Sequence, residues 1–436
     1  MTAEIDVIVI GAGSAGLSAA KELSRLGLSY QLVEAADRIG GRAFSQEIAP
    51  GEWFDHGCAW LVGGETNPFT RIAEERGITL STTTRHLFTL EHMRFVCNGT
   101  SVDTAERKAR VAFFEACEAA ISAAAAEGRD VPLSEVIELD EELAQPFCTM
   151  IDTSWGGASI AQVSSADHAS CEGDLGYRAV QGYGSLVAAW GADIPVSLST
   201  PVERIDWSQS PVRVETNKGT IAGKTALLTV STGILGSERI AFHPRLPDWK
   251  QAAIHDLPMG TENKVGVYFG RDILSDDDRA YYTTWTDQGQ AARVDAGVMG
   301  LDTAVVLVGG SQAIPLEEQG PLAMESFAID RLVEIFGSDI RKHVNRCITT
   351  AWKSNPFTLG SWAGAKPGRA HQRETLARPI DDRLFFAGEA SMIGPQGTCH
   401  GAYQSGLRAA QEIARTLGAV QSDTAIELHR EDALSK

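Results

Sequence analysis

A glycine-rich turn near the amino terminus is the first group of residues whose spacing could carry chemistry. Gly11, Gly13 and Gly16 fit the pattern G-x-G-x-x-G, with Ser14 and Ala15 between the last two glycines. Gly11 permits a tight turn, Gly13 lets backbone N–H groups approach a pyrophosphate, and Gly16 lets a helix pack closely on a strand. A helix that begins here directs its positive end at the phosphates. The pattern therefore predicts a dinucleotide site.

The segments around the glycines support the same site. Residues 5–10 (IDVIVI) form a β-branched run typical of a buried strand, and residues 17–26 have helical apolar spacing that stops at Gly27. Residues 29–34 return as a second strand. Glu34 ends that strand about 20 residues beyond the glycines, where an acid accepts hydrogen bonds from a ribose. The βαβ unit opens a doubly wound sheet, but it does not distinguish FAD from NAD.

Later segments resemble the flavin-containing amine oxidase family, which includes monoamine oxidases, polyamine oxidases and lysine-specific histone demethylases. Residues 34–43 (EAADRIGGRA) are similar to the family segment whose paired glycines and arginine pass along the pyrophosphate and the flavin. Residues 54–63 (FDHGCAWLVG) resemble the block that lies against the isoalloxazine ring. Residues 200–205 (TPVERI) resemble the segment that contacts adenine, and residues 383–389 (RLFFAGE) resemble the strand whose final acid holds the ribityl chain. These blocks follow the family order.

The resemblance implies FAD as the cofactor, bound without a covalent link and without any metal. Monoamine oxidases have a cysteine bonded to the flavin at the position of Ser361, and serine here implies noncovalent binding. Residues 397–403 (GTCHGAY) begin the last helix, whose N-terminus can stabilise negative charge on the reduced flavin. The residues expected to contact FAD are Gly11, Gly13, Ser14, Ala15, Gly16, Glu34, Ala35, Gly41, Arg42, Gly57, Ala59, Trp60, Val202, Gly388, Glu389, Thr398, Cys399 and Ala402.

Lys264 is the candidate catalytic residue by the same resemblance. Within residues 259–269 (MGTENKVGVYF) it matches the family lysine that holds a water against flavin N5. Partial burial at such a place lowers the pKa of an ammonium group toward useful values. Taken alone, the residue fits a surface lysine whose stem lies along the start of a strand.

Four residues are candidates for the substrate pocket. Trp362 falls where the family places an aromatic cage residue, which holds an amine by cation–π or apolar contact, and a core tryptophan is the alternative. Thr398 stands at the second cage position, and Val62 stands where polyamine oxidases often carry His or Glu. Tyr403 completes the set. Because Thr398 and Val62 depart from these relatives, the identity of the amine stays open.

The reaction that the resemblance implies is oxidation of a small-molecule amine. Hydride passes from the carbon beside the nitrogen to flavin N5, the imine hydrolyses to an aldehyde or ketone, and O2 is reduced to H2O2. An L-amino acid oxidase or an FAD-dependent desaturase of the same fold is an alternative, and the former needs an arginine facing the substrate carboxylate. A binding scaffold stabilised by FAD is the non-enzymatic alternative.

Composition narrows the class further. Hydrophobic residues make up 43% of the 436, the formal net charge is -19, and no apolar run is long enough to span a membrane. The charge disfavours nucleic acid as a partner. Seven cysteines without a CxxC pair, and no basic leader, indicate reduced thiols in a cytoplasmic protein without a zinc site. Because family members are often dimers, a homodimer is possible.

The predicted fold class is α/β, with a Rossmann-type FAD-binding domain and a discontinuous α+β substrate-binding domain. Residues 1–78, 196–250 and 372–436 are assigned to the FAD-binding domain, and residues 79–195 and 251–371 to the substrate-binding domain. Helices are expected at 104–128, 132–150, 321–336 and 401–417. An antiparallel meander is expected over 196–233, with strands at 262–270, 279–285, 303–309 and 384–387.

Overall fold

Two large β-sheets organise the chain in a computed structural model, which describes residues 5–82, 93–171, 176–270 and 273–419. The strands are β1 (Ile5–Ile10), β2 (Tyr30–Val33), β3 (Ser45–Ala49), β4 (Glu52–Asp55), β5 (Leu80–Ser81), β6 (Met93–Cys97), β7 (Thr100–Ser101), β8 (Arg178–Ala179), β9 (Val196–Ser197), β10 (Val202–Asp206), β11 (Val212–Thr216), β12 (Gly219–Leu228), β13 (Ala241–His243), β14 (Glu262–Tyr268), β15 (Tyr281–Trp285), β16 (Ala291–Ala296), β17 (Thr303–Gly309), β18 (Arg346–Thr349) and β19 (Leu384–Phe386). The helices are α1 (Ser14–Arg25), α2 (Pro68–Arg76), α3 (Thr104–Ala126), α4 (Gln145–Met150), α5 (Ser165–Ala169), α6 (Tyr183–Gly191), α7 (Thr232–Leu235), α8 (Asp248–Asp256), α9 (Gly310–Gln319), α10 (Pro321–Phe336), α11 (Gln372–Ala377) and α12 (Cys399–Thr416). Residues 1–4 and 420–436 of the predicted cofactor domain lie outside the described residues.

The first sheet contains the predicted βαβ unit. Its order is β13-β10-β11-β12-β1-β2-β9, and β19 also pairs with β12. Strand β1 runs parallel to both β2 and β12, and Val7, Ile8 and Val9 within it are fully buried because both faces of the sheet are covered. Strands β10, β11 and β12 form the predicted antiparallel meander. The doubly wound α/β character predicted from the sequence is confirmed.

The second sheet has one apolar face and one charged face. Its order is β18-β14-β17-β16-β15-β6-β7, so the predicted strands near 262, 281 and 303 belong to one sheet. Successive side chains of a strand point to opposite faces. The apolar face packs against α9 and α10 and includes Val265, Val267, Val294, Val306 and Val308. The other face carries Glu262, Lys264, Arg293 and Asp295, which alternate with those valines along β14 and β16.

The expected helix over 132–150 is the main error in the secondary-structure prediction. Only a single 3-10 turn at Leu133–Glu135 and the helix α4 are helical there. The Asp140 side chain accepts hydrogen bonds from the backbone N–H of Glu142 and Leu143, and such local bonds compete with helix formation. A π-helical turn over Ile151–Trp155 then continues from α4. The predicted helices at 104–128, 321–336 and 401–417 are confirmed as α3, α10 and α12.

The described residues contain neither a candidate membrane-spanning helix nor a candidate metal cluster. Among them, no helix combines the length and the apolar character that a membrane crossing requires. The same residues contain no group of three or more His, Cys, Asp or Glu side chains suited to hold a metal ion.

Candidate active site

A cavity of about 580 Å³ is lined by residues from both large sheets. It extends from the turn after β1 to the charged face of the second sheet, where Lys264 and Glu262 line it. We call the part around Gly11–Ala15 the glycine end and the part around Glu262, Lys264, Arg293 and Asp295 the charged end. Ligand sites in proteins have volumes of roughly 300–1,000 Å³, so this cavity has the size of a binding site.

The glycine end is shaped by what each glycine touches. Gly11 has φ +102°, and a Cβ atom on it would lie 2.7 Å from Thr229 Oγ1. A Cβ atom on Gly16 would lie 1.9 Å from the carbonyl oxygen of Gly11, so α1 approaches β1 as closely as backbone allows. A Cβ atom on Gly13 would meet no protein atom within 4 Å, and this residue lines the cavity. Gly13 therefore leaves room for a ligand, as a pyrophosphate cradle must.

Glu34 stands beside this cradle with its carboxylate held in place. Its oxygens accept hydrogen bonds from the backbone N–H of Ala12 at 2.6 Å and of Ala36 at 2.9 Å. Burial raises the pKa of Glu34 despite these bonds. Hydroxyl donors of a ribose would favour the ionised form of such an acid. Ala35 and Val202 line the same part of the cavity, so the residues present fit the nucleotide half of FAD.

Arg42 and Glu389 join three distant segments along the middle of the cavity. Arg42 Nη1 donates to Glu389 Oε1 at 2.8 Å and to the carbonyl oxygen of Ser361 at 2.9 Å. Glu389 also accepts hydrogen bonds from the backbone N–H of Ala363 and of Gly397. Because these partners come from three distant parts of the sequence, the ion pair positions the wall of the cavity.

A second ion pair, which is buried, holds another part of the same wall. Arg373 and Asp167 make paired hydrogen bonds of 2.5 and 2.8 Å, and Arg373 is 1% exposed. Asp167 also accepts from Ala365 N–H, and Arg373 donates to the carbonyl oxygen of Ala363. Both bonds hold the segment directly after Trp362, which lines the cavity.

The helix α12 begins at the cavity, and Thr398 caps it. Thr398 Oγ1 accepts from Gly401 N–H at 2.9 Å and donates to the carbonyl oxygen of Pro395 at 2.6 Å. Its hydroxyl is therefore used by the fold. Cys399 lines the cavity next to Cys58, and their hydrogen bond together with burial raises the pKa of the Cys58 thiol. A raised pKa keeps the Cys58 thiol protonated and therefore unreactive.

Lys264 lies at the charged end and is buried. Its Nζ donates a hydrogen bond to the carbonyl oxygen of Gly57, and its backbone N–H donates to Thr350 Oγ1. A Cβ atom on Gly57 would lie 1.9 Å from the carbonyl oxygen of Arg42, so only glycine allows the backbone at residue 57 to lie this close to residue 42. Lys264 is 9% exposed and faces the cavity, which excludes the surface-lysine interpretation.

Three charged residues at this end were not predicted from the sequence. Arg293 makes two hydrogen bonds to Asp295, of 2.9 and 3.0 Å, and a third to Ser154 Oγ at 2.6 Å. Glu262 lies two positions before Lys264, and burial raises its pKa to about 7. The sequence pairs E-x-K and R-x-D within apolar strands could have indicated them, because residues two apart in a strand lie on the same face.

Arg178 is a further buried cation on the cavity lining that the sequence prediction missed. Its guanidinium lies 5.0 Å from the centre of the Trp60 ring, and the residue is 9% exposed. Its Nε is buried without a hydrogen-bond partner among the described residues. The Arg178 charge acts on the buried carboxyl of Asp55, whose pKa burial raises. An inward-facing arginine is therefore present.

The predicted site residues converge on the cavity with two exceptions. Gly16 packs against Gly11 behind the lining, and the Tyr403 ring packs against Phe69 and Trp190 in the core of the first sheet. Of the predicted residues, the following line the cavity: Gly11, Gly13, Ser14, Ala15, Glu34, Ala35, Gly41, Arg42, Gly57, Ala59, Trp60, Val62, Val202, Lys264, Trp362, Gly388, Glu389, Thr398, Cys399 and Ala402. Tyr403 does not line the cavity.

A glycine turn that leaves room for a ligand, a buried acid beside it and a set of buried ionisable groups in one cavity are features of dinucleotide-dependent enzymes. The family model described as flavin containing amine oxidoreductase matches residues 14–414. The chain belongs to this family. It is therefore an oxidoreductase that uses FAD to oxidise amines, as the sequence predicted.

Relatives with related sequences span nearly all of the chain. Probable polyamine oxidase 4 of Arabidopsis thaliana is 27% identical over 443 residues, which cover 94% of this chain and 87% of the relative. Lysine-specific histone demethylase 1 homolog 1 of Oryza sativa subsp. japonica is 28% identical over 94% of this chain, and the match covers 52% of that relative.

Solved structures show the same fold. Cyclohexylamine oxidase from Brevibacterium oxydans superposes with a TM-score of 0.78 at 22% identity, covering 95% of this chain and 100% of the other. Putrescine oxidase bound to putrescine superposes with a TM-score of 0.77 at 18% identity, covering 94% and 99%.

Proposed function

We propose that this protein is an oxidase that holds FAD at the glycine end and oxidises a small amine at the charged end, with O2 as the electron acceptor. The observation that carries the proposal is one continuous cavity, lined by Gly13 at one end and by Lys264 and Trp362 at the other. FAD, when bound, accepts hydride from the carbon beside the amine nitrogen and passes the electrons to O2, which gives H2O2. The resulting imine hydrolyses to an aldehyde or ketone.

The chain's own residues bind and orient the reactants. Gly13 and Glu34 are assigned to the pyrophosphate and ribose, and Arg42 with Glu389 to the part of FAD along the middle of the cavity. Lys264 is assigned to the reaction centre, where its hydrogen bond to Gly57 fixes the position of a buried cation. Burial of the charged end excludes water and strengthens every electrostatic interaction there.

Noncovalent attachment of FAD is part of the proposal. Ser361 is buried, its hydroxyl donates to the carbonyl oxygen of Gly260, and it accepts from the backbone N–H of Glu262. The hydroxyl is thus used in holding the wall to β14. Denaturation followed by filtration tests this point: yellow filtrate is expected, and yellow protein would contradict it.

We also propose two domains, with one change to the boundaries expected from the sequence. The cofactor domain comprises 1–78, 196–250 and 372–436, and residues 177–194 join it because Tyr183, Leu186 and Trp190 pack in the core of the first sheet. The rest of 79–195, with 251–371, forms the substrate domain around the second sheet. A cytoplasmic location is proposed as well, supported by the seven cysteines, which are all free.

The second candidate substrate is an amine that also carries a carboxylate, such as an amino acid. Arg178 favours it, because this arginine is buried on the cavity lining with an Nε that has no hydrogen-bond partner in the described part of the chain. A carboxylate would pair with such a guanidinium through two hydrogen bonds.

A peroxide assay with a defined panel of amines tests the proposed function. Cyclohexylamine, putrescine, spermidine and a set of L-amino acids represent the monoamine, diamine, polyamine and carboxylated classes. At least one class is expected to yield H2O2 and the matching aldehyde, ketone or keto acid in equal amounts. No peroxide from any class, with FAD bound and O2 present, would contradict the proposal.

A further inference from the structure

Glu262 is a buried acid at the charged end for which the family match gives no role. It is 7% exposed, lines the cavity and stands on the same face of β14 as Lys264. Among the described residues, Lys264, Arg293 and Asp295 act on the Glu262 carboxylate by their charges, and none donates a hydrogen bond to it. Buried acids are nearly always paired or hydrogen-bonded. An unpaired one that faces a cavity therefore marks the place where a ligand completes the site.

The charges that face Glu262 leave it available for a cation. Lys264 lies on its own strand, while Arg293 and Asp295 lie on β16 and neutralise each other. β17 pairs with Glu262 through Gly309, which has no charge. On the π-helical turn packed over that glycine, Asp152 has its carboxylate against Gly310, and burial raises its pKa to about 6. Among the described residues, no ion pair or hydrogen bond therefore engages the Glu262 carboxylate.

Amine oxidation needs a proton acceptor in this place. An alkylamine has a pKa near that of a lysine side chain, about 10.4, so it arrives as a cation. Only a neutral nitrogen has the lone pair that drives hydride off the neighbouring carbon. Lys264 donates its hydrogen bond to Gly57 and repels a second cation, so it is unsuited to receive the proton.

We propose that Glu262 binds the ammonium group of the substrate and takes its proton, which leaves the neutral amine at the charged end. An N–H bond breaks, an O–H bond forms on the Glu262 carboxylate, and the electron pair stays on nitrogen. This step needs no oxidant or reductant. It rests on the proposed function, because it concerns an amine in this cavity.

The acidity of Glu262 suits that task. Burial raises its pKa to about 7, while the positive charges of Lys264 and Arg293 oppose the rise. A group with a pKa near the working pH is both ionised often enough to accept a proton and able to release it afterwards. An ordinary exposed carboxyl, with a pKa of about 4.3, would hold the proton far more weakly.

The first test compares pH profiles of Glu262→Gln, which can bind an ammonium group but cannot take its proton. The substrate is any amine of the panel that the wild type oxidises. Wild-type kcat/KM is expected to rise with pH through about 7, as the carboxyl ionises. E262Q should lack this rise, should be about 100-fold slower near pH 8, and should recover as pH approaches the amine pKa. The control E318Q removes an exposed acid on α9 and should keep the wild-type profile.

An unchanged rise and rate in E262Q would overturn the inference while leaving the proposed function intact. Failure of every amine to reduce the wild-type protein would instead overturn the proposed function. The two failures are therefore separate outcomes of one set of measurements.

The second test needs no turnover and no variant. Tert-butylamine has no hydrogen on the carbon beside its nitrogen and cannot be oxidised this way. Its binding to the FAD-loaded wild type is measured by calorimetry near pH 8, in buffers of different ionisation enthalpy. No net proton release is expected, because the proton stays within the amine–Glu262 pair. Release of about one proton per amine, or no binding, would overturn the inference.

Discussion

The glycine end of the cavity is lined largely by backbone, whereas the charged end is lined by side chains of the second sheet. At the glycine end the absence of side chains leaves space for a ligand, because a Cβ atom on Gly13 would meet no protein atom within 4 Å. At the charged end, by contrast, the lining carries buried charged side chains, which are Glu262, Lys264 and the Arg293–Asp295 pair. The first arrangement suits any dinucleotide, and we propose that the second selects which amine is oxidised.

This difference also explains what could be predicted from the sequence. A phosphate cradle depends on neighbours in the sequence, so Gly11, Gly13 and Gly16 were readable in one short segment. The charged end depends on the register of β14 against β17 and of β16 against β17, which no local pattern shows. Lys264 was found through family resemblance, while Glu262, Arg178 and Arg293 were missed.

Two other errors have equally physical causes. Tyr403 was predicted to lie in the substrate pocket, but residues of a helix point to different sides, and this ring faces the core of the first sheet. The helix predicted over 132–150 forms only from Gln145 onward, and before it the Asp140 side chain bonds its own backbone neighbours. In both cases tertiary or side-chain contacts decide what apolar spacing leaves open.

The largest expected effect comes from the buried ion pair between Arg373 and Asp167. Arg373→Met leaves Asp167 buried and unpaired, so the free energy of unfolding is expected to fall by about 3–5 kcal/mol. Urea denaturation of the FAD-free protein measures it. Arg369→Met is the control, since Arg369 is half-exposed and its ion pair with Asp256 contributes less than about 1 kcal/mol. Equal effects of the two variants would show that the wall does not depend on the buried pair.

The glycine end is isolated by a matched pair of substitutions. Gly13→Ala meets no protein atom and keeps an extended backbone, so the FAD-free protein should be as stable as wild type. Its methyl group enters the proposed phosphate site, where overlap of about 3 kcal/mol weakens FAD binding about 100-fold. Gly16→Ala must instead destabilise the protein itself, because its Cβ meets Gly11 at 1.9 Å. Full FAD affinity in G13A would place the phosphates elsewhere.

The charged end is tested by removing its lysine. Lys264→Met keeps the length of the side chain and removes its charge, so FAD should remain bound while reduction by amine or reoxidation slows by about 100-fold. Stopped-flow absorbance separates the two half-reactions. Wild-type rates in both would remove Lys264 from the reaction.

The smallest expected effect concerns selection among amines. Arg178→Gln should lower kcat/KM about 10-fold for carboxylated amines and leave kcat/KM for simple alkylamines unchanged. The reason is that a hydrogen bond to a charged group contributes about 1.5 kcal/mol. Steady-state peroxide assays on both classes measure the ratio. An equal loss for both classes would assign Arg178 to the stability of the cavity instead of to recognition.

In the proposed reaction, FAD at the glycine end presents its reacting part to an amine at the charged end. Anaerobic mixing of the purified protein with the amine panel tests this arrangement most directly. The protein is expected to be yellow as purified, and at least one amine is expected to bleach it without O2. A colourless protein that cannot be reconstituted with FAD, or a yellow one that dithionite bleaches and no amine does, would contradict it.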